Sequence, residues 1–329
     1  MTIKRSLSIA LRIFTLTFIY FICFSAAASF TVGQVETESA QVAAAVENPP
    51  AAVDAEVPEA QPLPAEQAKQ AAVLLLVSAL NTAVLAFLIL RSRWHGWKLA
   101  GIIFIISYGV MTLMSQMESA IFITGMPSGM LPKLLLMGAF TLAPFSILAV
   151  WILGKWKADA GADVSIFNRE KMSRKAWGIK LAILAVVYAA LYFSFGYFVA
   201  WQNPELREYY GHGATGSFAD VLLSIFQGNG WLYFFQMGRG ILWVLLALPV
   251  VFMMKGRWQE IGLAVALLFA VIMNSQLLLP NPLMPETVRI SHLIETASSN
   301  FIFGWIVVWV LVRFNIGKTV HPQPGLEGG

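Results

Sequence analysis

The last long hydrophobic segment of the chain carries six polar side chains of types that bind ions, donate hydrogen bonds or transfer protons. We call them the polar stripe: Arg289, His292, Glu295, Thr296, Ser299 and Asn300. At 100° per residue, all six fall within an arc of about 140° on one helix face. A charged side chain at the centre of a membrane helix costs about 2.5–3.5 kcal/mol on insertion scales. The stripe is therefore expected to face protein or water rather than lipid.

His292 and Glu295 are three residues apart, which places them on neighbouring turns of that face. A carboxylate in this position orients an imidazole and raises its basicity, as in a proton-transfer pair. The same spacing suits half of a metal site, for which Glu118 is the other acid expected at that depth. We predict no cofactor. A metal at His292 and Glu295 stays an alternative, as does simple hydrogen bonding of both side chains to neighbouring helices.

Other polar residues of the hydrophobic segments share the depth of the stripe. They are Gln116, Glu118, Gln236, Arg239, Asn274 and Gln276, each in the outer part of its segment. Because successive membrane helices alternate in direction, this agreement in depth predicts a polar pocket that opens to the extracytoplasmic side and is sealed by apolar inner halves. Asn81 lies in the middle of its segment and is expected to make an interhelical hydrogen bond.

Arg239 needs a counter-charge in such surroundings, and Glu118 and Glu295 are the available acids. A buried Arg–Glu pair offsets much of the desolvation cost of either ion alone. The sequence leaves the choice between the two glutamates open. The pair is expected either to line a ligand site or to act only as a structural link that fixes the order of the helices.

Helical angles limit which side chains share the pocket. Gln116 and Glu118 are about 160° apart, as are Asn274 and Gln276, if the helices are regular. One member of each pair is therefore expected to serve a helix–helix contact, and Glu118 is placed on a different face from Gln116. The site is then built from Arg239, His292 and Glu295, with Glu118 as counter-ion.

The elements that position these residues follow from composition. The chain has 329 residues, of which 58% are hydrophobic and 12% charged, against about 25% charged in soluble domains. The hydrophobic runs of spanning length are 13–33, 71–90, 99–124, 133–153, 178–201, 231–254, 260–279 and 290–312. They predict an all-α transmembrane helical bundle of seven helices after a signal peptide, or of eight if the first segment is retained. The one cysteine, Cys23, excludes a disulfide within the chain.

Charge distribution predicts the orientation of the bundle. With the N-terminus in the cytoplasm, 17 of the 22 Lys and Arg residues fall on the cytoplasmic side. The other five are Lys69, Lys133, Arg207, Arg239 and Arg289. The C-terminus is then cytoplasmic. The net charge of +4 is spread over several short loops, so the lipid bilayer is the expected partner and nucleic acid is not.

The N-terminal region has two possible interpretations. Residues 1–28 combine a basic start, an apolar stretch and a small-residue Ala26-Ala27-Ala28 site, which predicts either a cleavable signal peptide or a retained first helix. Residues 29–70 read as a disordered, acidic, Ala/Pro-rich extracytoplasmic linker, either an inert spacer or a tether for a protein partner. The membrane domain is expected to span 71–314, and residues 315–329 to form a cytoplasmic tail.

The connection from residue 202 to residue 230 contains a segment too short to span a membrane. It is expected to form a helix in the membrane interface, capped by Ser217 with Asp220 at the third position. Such a helix either closes over the pocket or only packs on the bundle.

Residues 196–210 and 288–304, together with Gln116-Met117-Glu118, resemble a group of uncharacterised bacterial multi-pass membrane proteins. The resemblance covers about residues 70–315. It implies a bacterial inner-membrane location, and it implies no activity, substrate or catalytic residue.

These observations favour a membrane protein that binds or passes a small polar ligand or ion at a pocket facing the extracytoplasmic side. The candidate binding residues are Glu118, Gln236, Arg239, Arg289, His292, Glu295, Thr296, Ser299 and Asn300. One alternative is an intramembrane enzyme that uses His292 and Glu295 as acid–base groups or metal ligands. The other is a non-catalytic membrane scaffold or assembly factor.

Overall fold

The computed structural model of the protein describes residues 3–31, 64–123, 126–157, 173–211, 216–281 and 284–314. Within these ranges the chain forms helices and their connections, with no β-strand. Most of the predicted linker at 29–70 and the tail at 315–329 lie outside the described residues. The predictions made for those segments stay predictions.

Eight helices of the described ranges are long and apolar enough to cross a membrane, which confirms the predicted all-α transmembrane bundle. They are α1 (Ile3–Thr31), α2 (Pro64–Arg91), α3 (Gly96–Phe122), α4 (Met130–Ile152), α5 (Arg174–Phe198), α8 (Trp231–Met253), α9 (Trp258–Leu278) and α10 (Glu286–Val312). Two short helices, α6 (Pro204–Tyr209) and α7 (Phe218–Asn229), connect α5 to α8.

Helix α2 begins at Pro64, earlier than the expected start at 71. Proline is favoured in the first turn of a helix, and the Ala, Glu, Gln and Lys residues that follow are good helix formers, so residues 64–70 extend the helix. Helix α1 runs past the predicted cleavage site at 28 and packs on α2 and α4. On α1, Tyr20 is buried and its hydroxyl accepts a hydrogen bond from Asn81 Nδ2 of α2 at 3.0 Å. The expected interhelical role of Asn81 is thereby confirmed.

Small residues allow close helix contacts in the second half of the chain. Helix α5 packs along α8, and α10 packs between α5 and α9. A Cβ atom on Gly240 of α8 would lie 2.8 Å from Tyr188 Cβ of α5, and one on Gly304 of α10 would lie 2.8 Å from Ala266 Cα of α9. Close backbone approach of this kind is how membrane helices gain packing energy without a hydrophobic driving force.

Aromatic rings fill the middle of this half of the bundle. Trp243, Phe269 and Phe303 are fully buried, and Tyr188 is nearly so. Ring centroids lie 4.3 Å apart between Trp243 and Phe269 and 5.0 Å apart between Tyr188 and Phe303. We call these four residues the aromatic layer. It separates the polar residues near one end of the bundle from the opposite end.

Two of the spanning helices are irregular beside the polar residues. Helix α3 contains a π-helical stretch, Gly109–Leu113. Helix α9 contains another, Leu268–Ile272, and ends in a 3-10 stretch, Ser275–Leu278. A π turn inserts an extra residue, so every position beyond it is rotated relative to a regular α-helix. Angles drawn at 100° per residue therefore do not hold across these stretches.

The short helices define one end of the bundle, which we call the α6 end. Asn203 caps α6, with its Oδ1 accepting from the Glu205 backbone N–H at 3.0 Å. Ser217 and Asp220 form a capping box at the start of α7, as expected from the sequence. At the opposite end, α2, α8 and α9 meet in turns rich in arginine and lysine.

Candidate functional site

The polar stripe of α10 begins at the α6 end, where His292 stands between two polar partners. Its Nδ1 lies 2.9 Å from Glu295 Oε2, and its Nε2 lies 2.9 Å from the Tyr210 hydroxyl. We call Tyr210, His292 and Glu295 the relay. An ionised carboxylate only accepts hydrogen bonds, so Nδ1 carries a proton whenever Glu295 is charged. Nε2 then accepts from Tyr210 when the ring is neutral and donates to it when the ring is charged. The relay is thus hydrogen-bonded in both protonation states of the imidazole.

Tyr210 reaches His292 because α6 is attached to α10. Besides capping α6, Asn203 donates from Nδ2 to Ser291 Oγ on α10 at 2.8 Å. Tyr210 directly follows α6 as its C-cap residue and lies against the imidazole, with ring centroids 5.7 Å apart. Burial raises the pKa of Tyr210 above its usual range. Its hydroxyl therefore stays protonated at neutral pH and serves as a hydrogen-bond donor.

Sequence reasoning did not select Tyr210 as a site residue. The Asn203-Pro204 pair is a helix-start signal, and it could have indicated a short ordered helix in this connection. The contact itself joins residues 82 positions apart, and nothing local in the sequence specifies it.

The second part of the site is a buried ion pair between α8 and α3. Arg239 Nη1 donates to the Glu118 carboxylate and, at 3.0 Å, to Gln236 Oε1. Arg239 Nη2 donates to the Met114 carbonyl at 3.3 Å. The Arg239 side chain is fully buried, whereas the Glu118 side chain is 24% exposed. The choice left open by the sequence is resolved in favour of Glu118 as the partner of Arg239.

A small cavity lies between the relay and the ion pair. Its lining residues are Glu118, Tyr188, Leu191, Tyr192, Met273, Glu295, Thr296, Ser299 and Asn300. Its volume is about 10 Å³, which holds about one water molecule. Carboxylates from two helices, Glu118 of α3 and Glu295 of α10, thus border one water-sized space. The relay and the ion pair meet there.

The other residues predicted for the site divide between the cavity and its supports. Thr296, Ser299 and Asn300 line the cavity, and Thr296 Oγ1 also lies 2.6 Å from Asn274 Oδ1 of α9. Gln236 is fully buried and holds Arg239. Helix α7 contributes no residue to the cavity lining, and it packs on α8 through a 2.7 Å hydrogen bond from the Tyr233 hydroxyl to the Leu222 carbonyl.

Arg289 lies apart from the cavity. Its Nη1 donates to the carbonyls of Leu277 and Leu279, at 2.9 and 2.6 Å. These carbonyls belong to the irregular end of α9, where no further turn of helix is available to satisfy them. Arg289 therefore acts as a cap for α9, although it is one of the six members of the stripe.

The remaining polar membrane residues make helix–helix contacts. Gln276 Nε2 donates to Ser115 Oγ at 2.9 Å, which links α9 to α3. Asn274 is buried, and its Oδ1 accepts from Thr296 Oγ1 of α10 at 2.6 Å while its Nδ2 donates within α9 to the Ala270 carbonyl at 2.9 Å. Glu118 faces the cavity while Gln116 does not line it. The extra residue of the π stretch at Gly109–Leu113 lies between Glu118 and the first half of α3.

A metal at His292 and Glu295 would need further protein ligands. Among the residues that the structure describes, no group of three or more His, Cys, Asp and Glu side chains is arranged to hold a metal ion. Both ring nitrogens of His292 are engaged by Glu295 and Tyr210.

The fold and the site together define a multi-pass, all-α membrane protein with a compact cluster of charged and polar groups inside one half of its bundle. No protein-family model, curated protein or solved structure matches the chain significantly. The resemblance to a group of bacterial inner-membrane proteins therefore stays a prediction.

Proposed function

We propose that this protein binds or passes a small cation at the cavity between Glu118 and Glu295, and that the cation is a proton. The observation that carries the proposal is that two carboxylates border one water-sized cavity beside a single arginine. A volume of about 10 Å³ has room for a proton on a carboxylate or a bound water, and not for an organic ligand.

The charge balance of these side chains also favours a proton. Arg239 neutralises one carboxylate, and Glu295 is left with His292 as its partner. An unbalanced charge in a low-dielectric interior is costly, so the group changes its protonation state instead. The cluster therefore needs one further positive charge, which a proton shared by His292 and Glu295 supplies.

The relay offers the path by which a proton reaches the cavity. The His292 side chain is 22% exposed and the Glu295 side chain 8%, so within the relay the imidazole is the more accessible group for an incoming proton. Tyr210 is hydrogen-bonded to the imidazole in either state and keeps its own proton, which suits proton exchange better than nucleophilic attack. Passage to the other end would require the aromatic layer to rearrange.

For the cellular setting, we propose a bacterial inner membrane with the α6 end extracytoplasmic and the C-terminus cytoplasmic. The support is the concentration of Lys and Arg at the opposite end of the bundle. In this arrangement α1 is retained as the eighth spanning helix, since Tyr20 and Asn81 form a buried contact between α1 and α2.

Infrared difference spectroscopy on the purified protein tests the proposal, because a protonated carboxyl has its own carbonyl band. Between about pH 4 and 9, wild type is expected to show proton-uptake bands of the His292 and Glu295 pair that disappear in Glu295→Gln. The matched control is Glu286→Gln, since Glu286 is exposed on the first turn of the same helix. His292→Ala should change the same bands, because it removes one of the two side chains that share the proton. A spectrum in which Glu295→Gln and Glu286→Gln change the same bands would contradict the proposal.

A further inference from the structure

A second cavity lies at the opposite end of the bundle, where α2, α8, α9 and α10 meet. Its volume is about 150 Å³. The apolar part of its lining is Val251, Phe252, Met254, Ile261 and Val312, and the polar part is Arg93, Lys255, Gly256, Arg257 and Trp258. We call it the basic cavity. Three cations therefore border a space whose other walls are hydrocarbon.

The backbone holds these cations together. Ser92 and Met254 form an antiparallel bridge between the turns that follow α2 and α8. Arg93 N donates to the Met253 carbonyl, and Lys255 N donates to the Arg91 carbonyl, both at 2.8 Å. The two turns are fixed side by side, so the like charges of Arg93 and Lys255 are held at one cavity instead of separating into solvent.

The neighbouring acid does not neutralise this group. Glu260 pairs with Arg91, which lies outside the cavity lining. Within the described ranges no ion pair joins a carboxylate to Arg93, Lys255 or Arg257. Like charges at one site repel one another, so an arrangement of this kind is stabilised by an anion.

One buried donor without a partner and the uncapped start of a helix favour the same ligand. Arg93 Nε is buried and has no hydrogen-bond partner in the described structure. Helix α9 begins at Trp258 beside the cavity, and its N-cap residue, Arg257, provides no side-chain cap. Guanidinium groups and free helix N–H groups are the donors that proteins use most often for phosphate oxygens.

We propose that the basic cavity binds the phosphate group of an anionic phospholipid. The cations and the start of α9 contact the phosphate, while Val251, Ile261 and Val312 receive the first part of the acyl chains. Basic pockets between membrane helices are known sites for anionic lipid headgroups. The hydrocarbon walls favour a lipid over a free phosphate, since soluble phosphate would gain nothing from them. The proposal does not depend on the proton site at the other end.

Native mass spectrometry of the full-length protein in detergent tests it, with phosphatidylglycerol as probe and phosphatidylcholine as competitor. Wild type is expected to retain one phosphatidylglycerol molecule selectively. Each cation near the headgroup contributes about fivefold in affinity, so the variant R93Q/K255Q/R257Q should bind about 100-fold more weakly. The matched control is K98Q/R174Q/K175Q, which removes three exposed charges at the same end outside the cavity. It should bind like wild type.

A second variant tests the cavity independently, in case the triple variant misfolds. Val312→Phe keeps every charge and fills part of the cavity, so it should also weaken phosphatidylglycerol binding. Equal binding of both lipids by wild type, or equal loss in the cavity variant and the surface-charge control, would overturn the proposal. Inorganic phosphate that displaces the lipid and saturates on its own would overturn the lipid as the source of the phosphate group.

Discussion

The ion pair between Arg239 and Glu118 should couple α8 to α3 with an energy large enough to measure. Arg239 is fully buried, and its remaining partners are the oxygens of Gln236 and Met114. Removing one partner of a buried pair costs about 3–5 kcal/mol, because the other charge stays without compensation. Glu118→Gln should therefore destabilise the protein by about 3 kcal/mol, at the lower end of that range because the glutamate is partly exposed.

Arg239→Gln should destabilise the protein less than Glu118→Gln does. In Arg239→Gln the charge left behind belongs to Glu118, whose side chain is 24% exposed and borders a space that holds about one water. That carboxylate can be hydrated or take up a proton, whereas a guanidinium keeps its charge. The double variant removes both charges. It should be more stable than the sum of the single changes predicts, with a coupling energy of about 1–3 kcal/mol.

Unfolding in mixed detergent and SDS micelles, followed by tryptophan fluorescence, measures all four proteins of the cycle. Arg91 and Glu260 provide the matched control, since this pair is 43% and 40% exposed at the other end of the bundle. An exposed pair is expected to couple by less than about 1 kcal/mol. Additive effects of Glu118→Gln and Arg239→Gln, or a larger cost for the arginine change, would refute the reasoning.

Two further predictions concern packing and pH. A Cβ on Gly304 would lie 2.8 Å from Ala266 Cα, so Gly304→Ala should destabilise by about 1–3 kcal/mol in the same unfolding assay. Gly238→Ala meets open space and should be neutral or slightly stabilising, and equal stability of the two variants would count against the close contact of α9 and α10. Hydrogen bonds from Ser217 lower the pKa of Asp220, so the carboxylate stabilises the start of α7 at neutral pH. This contribution is lost as the pH falls through the lowered pKa, so the protection of the α7 amides, corrected for the intrinsic pH dependence of exchange, should fall in wild type and not in Asp220→Asn.

Much of the fold could be predicted because its signals are local. Hydrophobic runs of spanning length specify membrane helices, and all eight appear as such. The capping box of Ser217 and Asp220 could also be predicted, since it depends on residues three positions apart. The start of α2 at Pro64 differs from the prediction, because the acidic, alanine-rich composition of this segment is typical of a linker although its residues favour helix.

The site was less predictable because its geometry depends on irregular helices. Depth could be estimated from position in a segment, and it correctly grouped Glu118, Arg239 and Glu295 at one end of the bundle. The direction of each side chain could not be estimated on α3 and α9, because the π stretches change the rotation of every later residue. Tyr210 could not be found at all, since its place over His292 depends on how α6 attaches to α10.

The same irregular helices separate the polar residues that serve the backbone from those that do not. A π turn leaves carbonyl groups without their usual partners. Side-chain amides donate to such carbonyls here: Gln276 donates to the Met111 carbonyl at 3.3 Å and Asn274 to the Ala270 carbonyl at 2.9 Å. Backbone satisfaction thus accounts for part of the role of each amide, and their contacts with Ser115 and Thr296 account for the rest. It cannot explain Glu118 and Glu295, because a carboxylate has no proton to donate to a carbonyl while it is charged. Glu118 is paired with Arg239 and Glu295 with His292, so with a neutral imidazole one carboxylate charge is left over, and the proposed proton would neutralise it.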